Sequence, residues 1–169
     1  MQLKSFLQGL DNVSEWSGRI FVWLIVPLTG VVVFEVISRR VFNAPHIWSI
    51  EVTDYLYGPH FMLVAAYTLL YRGHVSIDII YQRFSPRTRG ILDCFTHLVF
   101  FFPFLIVLLI QGILYAYTSW SIHETSQSAA LTIVPLVKTV IPVTALLLLV
   151  QGLSNFIRSI MQAVRGAER

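Results

Sequence analysis

Apolar residues along this chain fall into four long runs, separated by short polar stretches. Residues 20–37, 55–71, 91–117 and 139–157 are predominantly apolar. A helix needs about twenty such residues to cross the hydrocarbon core of a bilayer. The pattern predicts an all-α integral membrane protein with four transmembrane helices, over approximately 19–38, 52–71, 90–118 and 136–158, in a single membrane domain 1–169. The third run amounts to roughly 40 Å of helix, more than the core requires. It should tilt strongly or project beyond the membrane.

Residues 1–18 follow a different pattern. Leu3, Phe6, Leu7, Leu10, Val13 and Ser14 fall at helical spacing, with Lys4, Gln8, Asp11 and Glu15 between them. Such a stripe is amphipathic and too polar to span, so an N-terminal helix lying at the interface or against a partner is expected. Trp16 and Trp23 stand where it gives way to the first span. Each span carries a proline (Pro27, Pro59, Pro103 and Pro142), and each proline removes a helix hydrogen bond, so kinks are expected in all four. Ser85-Pro86 combines an N-cap residue with proline at the first helical position and should launch the third helix.

Composition agrees with the pattern. Hydrophobic residues make up 56% of the chain, charged residues 12%, and mean hydropathy is +0.70. A soluble domain carries about twice that charged share. The net charge is only +3, and the basic residues flank apolar runs without forming a patch, so nucleic acid is a poor partner for this chain and membrane lipids a natural one. Nine of the 12 Lys and Arg residues lie in the N-terminal segment, the stretch between the second and third spans, and the C-terminal tail; Arg39, Arg40 and Lys138 lie on the other side. Positive-inside bias then puts both termini in the cytoplasm, and the 35–51 and 118–131 stretches outside. The single cysteine, Cys94, rules out an internal disulfide. The first residues lack the basic region, short apolar core and cleavage site of a secretory signal, so no cleaved leader is expected.

Candidate chemistry gathers at the span ends. Glu35 and Arg39 are one helical turn apart and can pair, while Arg40 projects to another face and can meet lipid phosphate or a partner carboxylate. Trp48 suits an interfacial anchor, followed by Glu51 and Asp54 in an acidic first turn of the second helix. His74 and Asp78, four apart, could form half a metal site, but no third ligand lies near in sequence; Asp78 fits better as the cap of a short segment. His60 and His97 raise the alternative of a haem-binding redox subunit, which their heights disfavour: they should differ by roughly 10 Å. A stand-alone structural membrane protein is a further alternative. No nucleophile elbow, metalloprotease motif or phosphate-binding loop is present, which argues against an enzyme. No pair of matching halves marks a self-sufficient transporter.

Several short motifs in order resemble the small membrane subunit of tripartite ATP-independent periplasmic (TRAP) transporters. Arg39-Arg-Val-Phe42-Asn43 is similar to that family's Arg-Tyr-x-Phe-Asn turn, followed by Trp48 and Glu51; His74-Val-Ser-Ile-Asp78 is similar to its His-Val-x-x-Asp loop. Glu124 and Ser126, then Pro135 and Pro142, resemble its Glu-x-Ser and two-proline pattern. Arg40 stands where tyrosine is usual, and Ile50 where a second glutamate often precedes Glu51. The resemblance implies an accessory subunit without catalytic residues or its own cofactor. It implies a large multispanning permease subunit as partner, carrying the sodium ions, and a periplasmic substrate-binding protein that delivers an organic acid anion for symport. The location implied is the bacterial inner membrane. On this resemblance, Glu35, Arg39, Trp48 and Glu51 are outward interface candidates, and His74 and Asp78 inward ones.

Overall fold

A computed structural model of the chain describes residues 2–71, 84–126 and 131–165. All of its regular structure is helical. The elements are α1 (Gln2–Phe21), a 3-10 turn (Val22–Leu24), α2 (Ile25–Val41), α3 (Ile47–Leu70), α4 (Pro86–Thr96), a π turn (His97–Phe101), α5 (Phe102–Ser121) and α6 (Val134–Arg165).

The prolines explain the two irregular turns. The 3-10 turn lies just before Pro27, and the π turn just before Pro103. At the first, the Ile25 N–H bonds back to the Val22 carbonyl, which leaves the Phe21 carbonyl without its usual helical donor. His60 Nδ1, from α3, lies 3.1 Å from that oxygen and ties α3 to the turn. At the second, the Phe102 N–H reaches back five residues to the His97 carbonyl. Around Pro59 and Pro142 the α-helix runs on without such a turn. Irregular turns thus precede Pro27 and Pro103, while Pro59 and Pro142 lie within continuous α-helix.

The amphipathic segment and the first span form one nearly continuous rod, Lys4–Val41, of 38 residues. The N-terminal helix, expected at the interface or against a partner, runs on into the first span and packs along α3 and α6. Its buried side is Leu7, Ser14, Ser17 and Gly18, whereas Phe6, Val13, Trp16 and Ile20 face outward. Pro86–Ser121, with 36 residues, forms a second rod, so the long third span is longer still than the apolar run indicated. Ser85 caps it as expected: its Oγ accepts from the Thr88 N–H at 3.3 Å, with Pro86 at the helix start.

Among the described residues, three helices are long and apolar enough to cross a membrane: Lys4–Val41, Pro86–Ser121 and Val134–Val164. The four-span expectation is met for these three. α3 has the length, with 24 residues, but Asp54, Tyr55, Tyr57, Gly58, Pro59 and His60 dilute its middle.

α6 is the hub. It packs against α5, α4, α3 and α1, while α3 also packs against α1 and α2. Across the layer the order is α2, α3, α6, α5, which leaves α2 and α5 at opposite edges. Only 6% of the most apolar stretch of the first rod is buried, against 28% for α6. The interior is correspondingly poor in large apolar groups: Ser14, Ser49, Ser119, Gln151 and Ser154 are almost wholly buried, while Trp23, Phe61 and Phe104 point outward. Such an inside-out distribution suits lipid, where small residues allow close helix approach and large apolar ones face the tails. Gly90 illustrates the close approach: a Cβ there would lie 2.6 Å from the Ala163 backbone nitrogen and 2.8 Å from the Ser159 carbonyl oxygen.

Candidate functional site

The polar groups collect at the two ends of the layer. At the end opposite the termini, α2 stops because Asn43 turns left-handed, with φ of 49°. Asparagine tolerates that conformation, and Pro45 then prevents the helix from resuming. The Phe42 and Ala44 N–H groups both donate to the Ser38 carbonyl, at 3.2 and 3.1 Å. The turn carries the chain back onto Glu35. Arg39 donates to Glu35 Oε1 through Nη2 at 2.9 Å and Nε at 3.3 Å, and the His46 N–H donates to the same oxygen at 3.2 Å. His46 Nδ1 lies 3.3 Å from Glu35 Oε2. The Phe34 ring covers this group, with its centroid 5.4 Å from His46 and 5.9 Å from Trp48.

The expected Glu35–Arg39 pair is thus present, within a turn-closing cluster that also takes in His46. Nothing in helical periodicity signals a contact between residues eleven apart. Arg40 and Phe42 are exposed. The expected acidic first turn of the second helix is not found. α3 begins at Ile47, so Trp48 and Ser49 occupy that turn and Glu51 and Asp54 follow later. Ser49, buried, donates from Oγ to the His46 carbonyl at 2.7 Å and supports the start of the helix. His74 and Asp78 lie outside the described residues.

At the same end, Glu124 joins α5 to α6. It accepts from Ser119 Oγ at 2.6 Å and from Lys138 Nζ at 2.5 Å, and Lys138 also sits 4.1 Å over the Tyr115 ring. The Lys138 hydrogen bond, with help from Ser119, holds the Glu124 carboxyl below its usual range despite some desolvation. Ser126 closes the connection: its N–H donates to the Leu131 carbonyl at 2.9 Å, and its Oγ accepts from the Leu131 N–H at 3.0 Å. Pro135 is buried in the first turn of α6, and Pro142 further along the same helix. The Glu-x-Ser and two-proline residues therefore form a helix-to-helix clasp. Trp120, His123, Glu124, Thr132 and Pro135 line an open pocket of about 220 Å³ there.

The opposite end holds a cluster that sequence reasoning missed. Asp11 of α1 pairs with Arg158 of α6, and its Oδ1 also accepts from Ser154 Oγ at 2.8 Å and Gln151 Nε2 at 3.2 Å. Gln151 Nε2 lies 3.3 Å from Asn155 Oδ1 as well. Gln151, Ser154, Asn155 and Arg158 recur at helical spacing, a polar stripe that marks one face of α6. That stripe was the available signal, although nothing in it names Asp11 as the partner.

The two histidines of the haem alternative have other surroundings. His60 faces the Phe21 carbonyl, while His97 Nδ1 lies 2.8 Å from the Asp93 carbonyl and its ring packs near Phe101, Phe102 and Phe156. Among the described residues, no three His, Cys, Asp or Glu side chains gather as a metal site requires.

Comparison with known proteins adds an independent line. Residues 28–162 match the family model described as tripartite ATP-independent periplasmic transporters, DctQ component. The chain is also similar to the sialic acid TRAP transporter permease protein SiaT of Haemophilus influenzae, with 27% identity over 95 residues, or 56% of this chain. The matched part is 15% of that relative's length. No solved structure matches.

Proposed function

Since the chain belongs to the DctQ component family of TRAP transporters, we propose that it braces a large permease subunit during cation-coupled uptake of an organic acid anion. It is a multi-pass membrane protein and a small permease component. In the proposed assembly α3 is the fourth span, both termini lie in the cytoplasm, and the membrane is the bacterial inner membrane. A periplasmic binding protein delivers the anion, and the permease carries the sodium ions.

The observation that carries the bracing role is the form of the helices. They make a layer ordered α2, α3, α6, α5, with α1 packed against both α3 and α6, large apolar groups facing outward and ion pairs at its two ends. Such a layer suits a stiff wall beside a transport pathway. Its surface supports the same reading: 11638 Å² is accessible, against about 8,500 Å² for a soluble globule of this mass.

The test is mild-detergent purification of the chain from its native membrane, with co-purifying proteins identified and uptake measured beside it. A large multispanning permease should come with it, and Arg39→Ala should lower both its recovery and uptake. An eluate without permease, or normal recovery and uptake in Arg39→Ala alongside a disrupted 42–46 turn, would overturn the proposal. A coloured eluate with a Soret band would favour the haem alternative instead.

A further inference from the structure

At the α5 edge of the layer one side chain is at odds with its surroundings. Gln111 is exposed, in the middle of an apolar sequence that runs from Phe104 to Ile110 before it and continues from Ile113 after it. No hydrogen bond joins its amide to any described residue. Hydroxyls on exposed helix faces satisfy themselves locally: Thr29 Oγ1 donates to the Ile25 carbonyl at 2.7 Å, and Thr118 Oγ1 to the Leu114 carbonyl at 2.9 Å. A glutamine carries two donors and an acceptor oxygen on a longer stem, and its own helix leaves it no partner here. Lipid tails offer none either.

The neighbours of Gln111 give the surface its form. Phe104, Val107, Gln111, Leu114 and Thr118 are spaced by three and four residues in alternation and are all exposed. That is the spacing of a seam that packs along a single second helix, with the polar residue at its centre fixing register. The face of α5 that meets α6 is a separate one, built on Leu105, Gly112, Ala116 and Ser119, all buried. At the other edge, α2 exposes Val26, Val33, Val36 and Ile37, an outward face of apolar groups that lipid can cover.

We propose that the α5 seam is the docking face for one membrane-spanning helix of the large permease subunit. That helix presents an amide, hydroxyl or carboxyl group at the depth of Gln111. The inference rests on the function proposed above. Hydrogen-bond complementarity selects the occupant, since neither lipid tails nor the chain itself satisfies the amide. Three large side chains of the seam, Phe104, Val107 and Leu114, are each more than half exposed and offer apolar surface to such a helix.

The test uses the whole complex in its membrane. A photo-reactive side chain is placed at position 111 and, in a separate variant, at Val33 on the opposite edge. After illumination the captured species are identified by mass. Capture of the permease from 111 and not from 33 is the expected result. Capture from 33 alone, capture of a second copy of this chain from 111, or lipid adducts only from 111 would each overturn the inference.

Gln111→Leu supplies the second measurement. The variant should melt in detergent like the unaltered chain, because no internal bond is lost, yet recover about three- to tenfold less permease. Full permease recovery with Gln111→Leu would overturn the inference while leaving the bracing role standing. If the unaltered chain brings down no permease, the bracing role itself fails and this docking face fails with it.

Discussion

At the end of the layer that holds both termini, Asp11 reaches across 147 residues of sequence to Arg158, and Gly90 lets α4 lie on the backbone of α6. At the other end the contacts are short stitches: Glu35 to Arg39 and His46, and Glu124 to Ser119 and Lys138. The first end fixes which helices are neighbours. The second fixes how each helix hands over to the next. Loss of a long-range contact should therefore loosen the layer, and loss of a stitch should loosen only a turn.

The strongest test of that contrast is Asp11→Ala. It strands Arg158, Ser154 and Gln151 without their common acceptor. Breaking a buried pair costs about 3–5 kcal/mol, and the 41% exposure of the Arg158 side chain puts the loss near the bottom of that range. Melting in detergent should fall accordingly, and limited proteolysis should release α1 first. An unchanged melt with α1 still protected would remove the distinction between the two ends.

Gly90→Val comes next. Its methyl groups would meet backbone, which cannot swing aside, and overpacking of this kind costs about 1–3 kcal/mol. A spin label pair on α4 and α6 should report a wider separation. If the distance holds, the close approach is not what positions α4.

The Glu124 stitch should show its effect through pH. Its carboxyl is lowered in the folded chain, chiefly by Lys138, so its contribution is complete above the ordinary carboxylate value of about 4.3. That contribution is lost as pH falls through the lowered folded value. Glu124→Gln should therefore differ from the unaltered chain by a constant amount near neutrality, and the gap should close in acid. A gap that instead opens in acid would mean that Lys138 is not the dominant partner.

Arg39→Ala should have the smallest effect on the isolated chain. Its pair with Glu35 is exposed, and the His46 N–H still holds the carboxylate. The melt should stay within error, with the effect confined to protection of the 42–46 turn. A large drop in melting would promote this stitch to the rank of the Asp11 contact.

The contrast also explains what could be read from the sequence. Apolar run length announced the helices, because a membrane helix must satisfy its backbone within itself. Ser85-Pro86 announced a helix start, and the spacing of Glu35 and Arg39 announced their pair. Each of these is a local rule. Asp11 looked like one polar residue among several in an amphipathic stripe, and its partner lies in the last helix. The near-continuity of α1 with α2 was hidden because composition changes at Gly18 while the helical path runs on through the 3-10 turn. The prolines were visible, but their number did not say which would adjoin an irregular turn. Pro27 and Pro103 adjoin irregular turns, whereas Pro59 and Pro142 sit in unbroken α-helix. The left-handed Asn43 gives the Phe-Asn-Ala-Pro turn its reason, one that spacing alone would not have supplied.

The single rod made by α1 and α2 has a mechanical consequence. At 38 residues it is about 57 Å long. His60 holds it near its midpoint, through the Phe21 carbonyl, and Arg158 anchors one arm. That is a lever with a fulcrum and one clamped arm. A displacement of the Arg39 end reaches the Asp11 contact only through the 3-10 turn, which lies between the two arms.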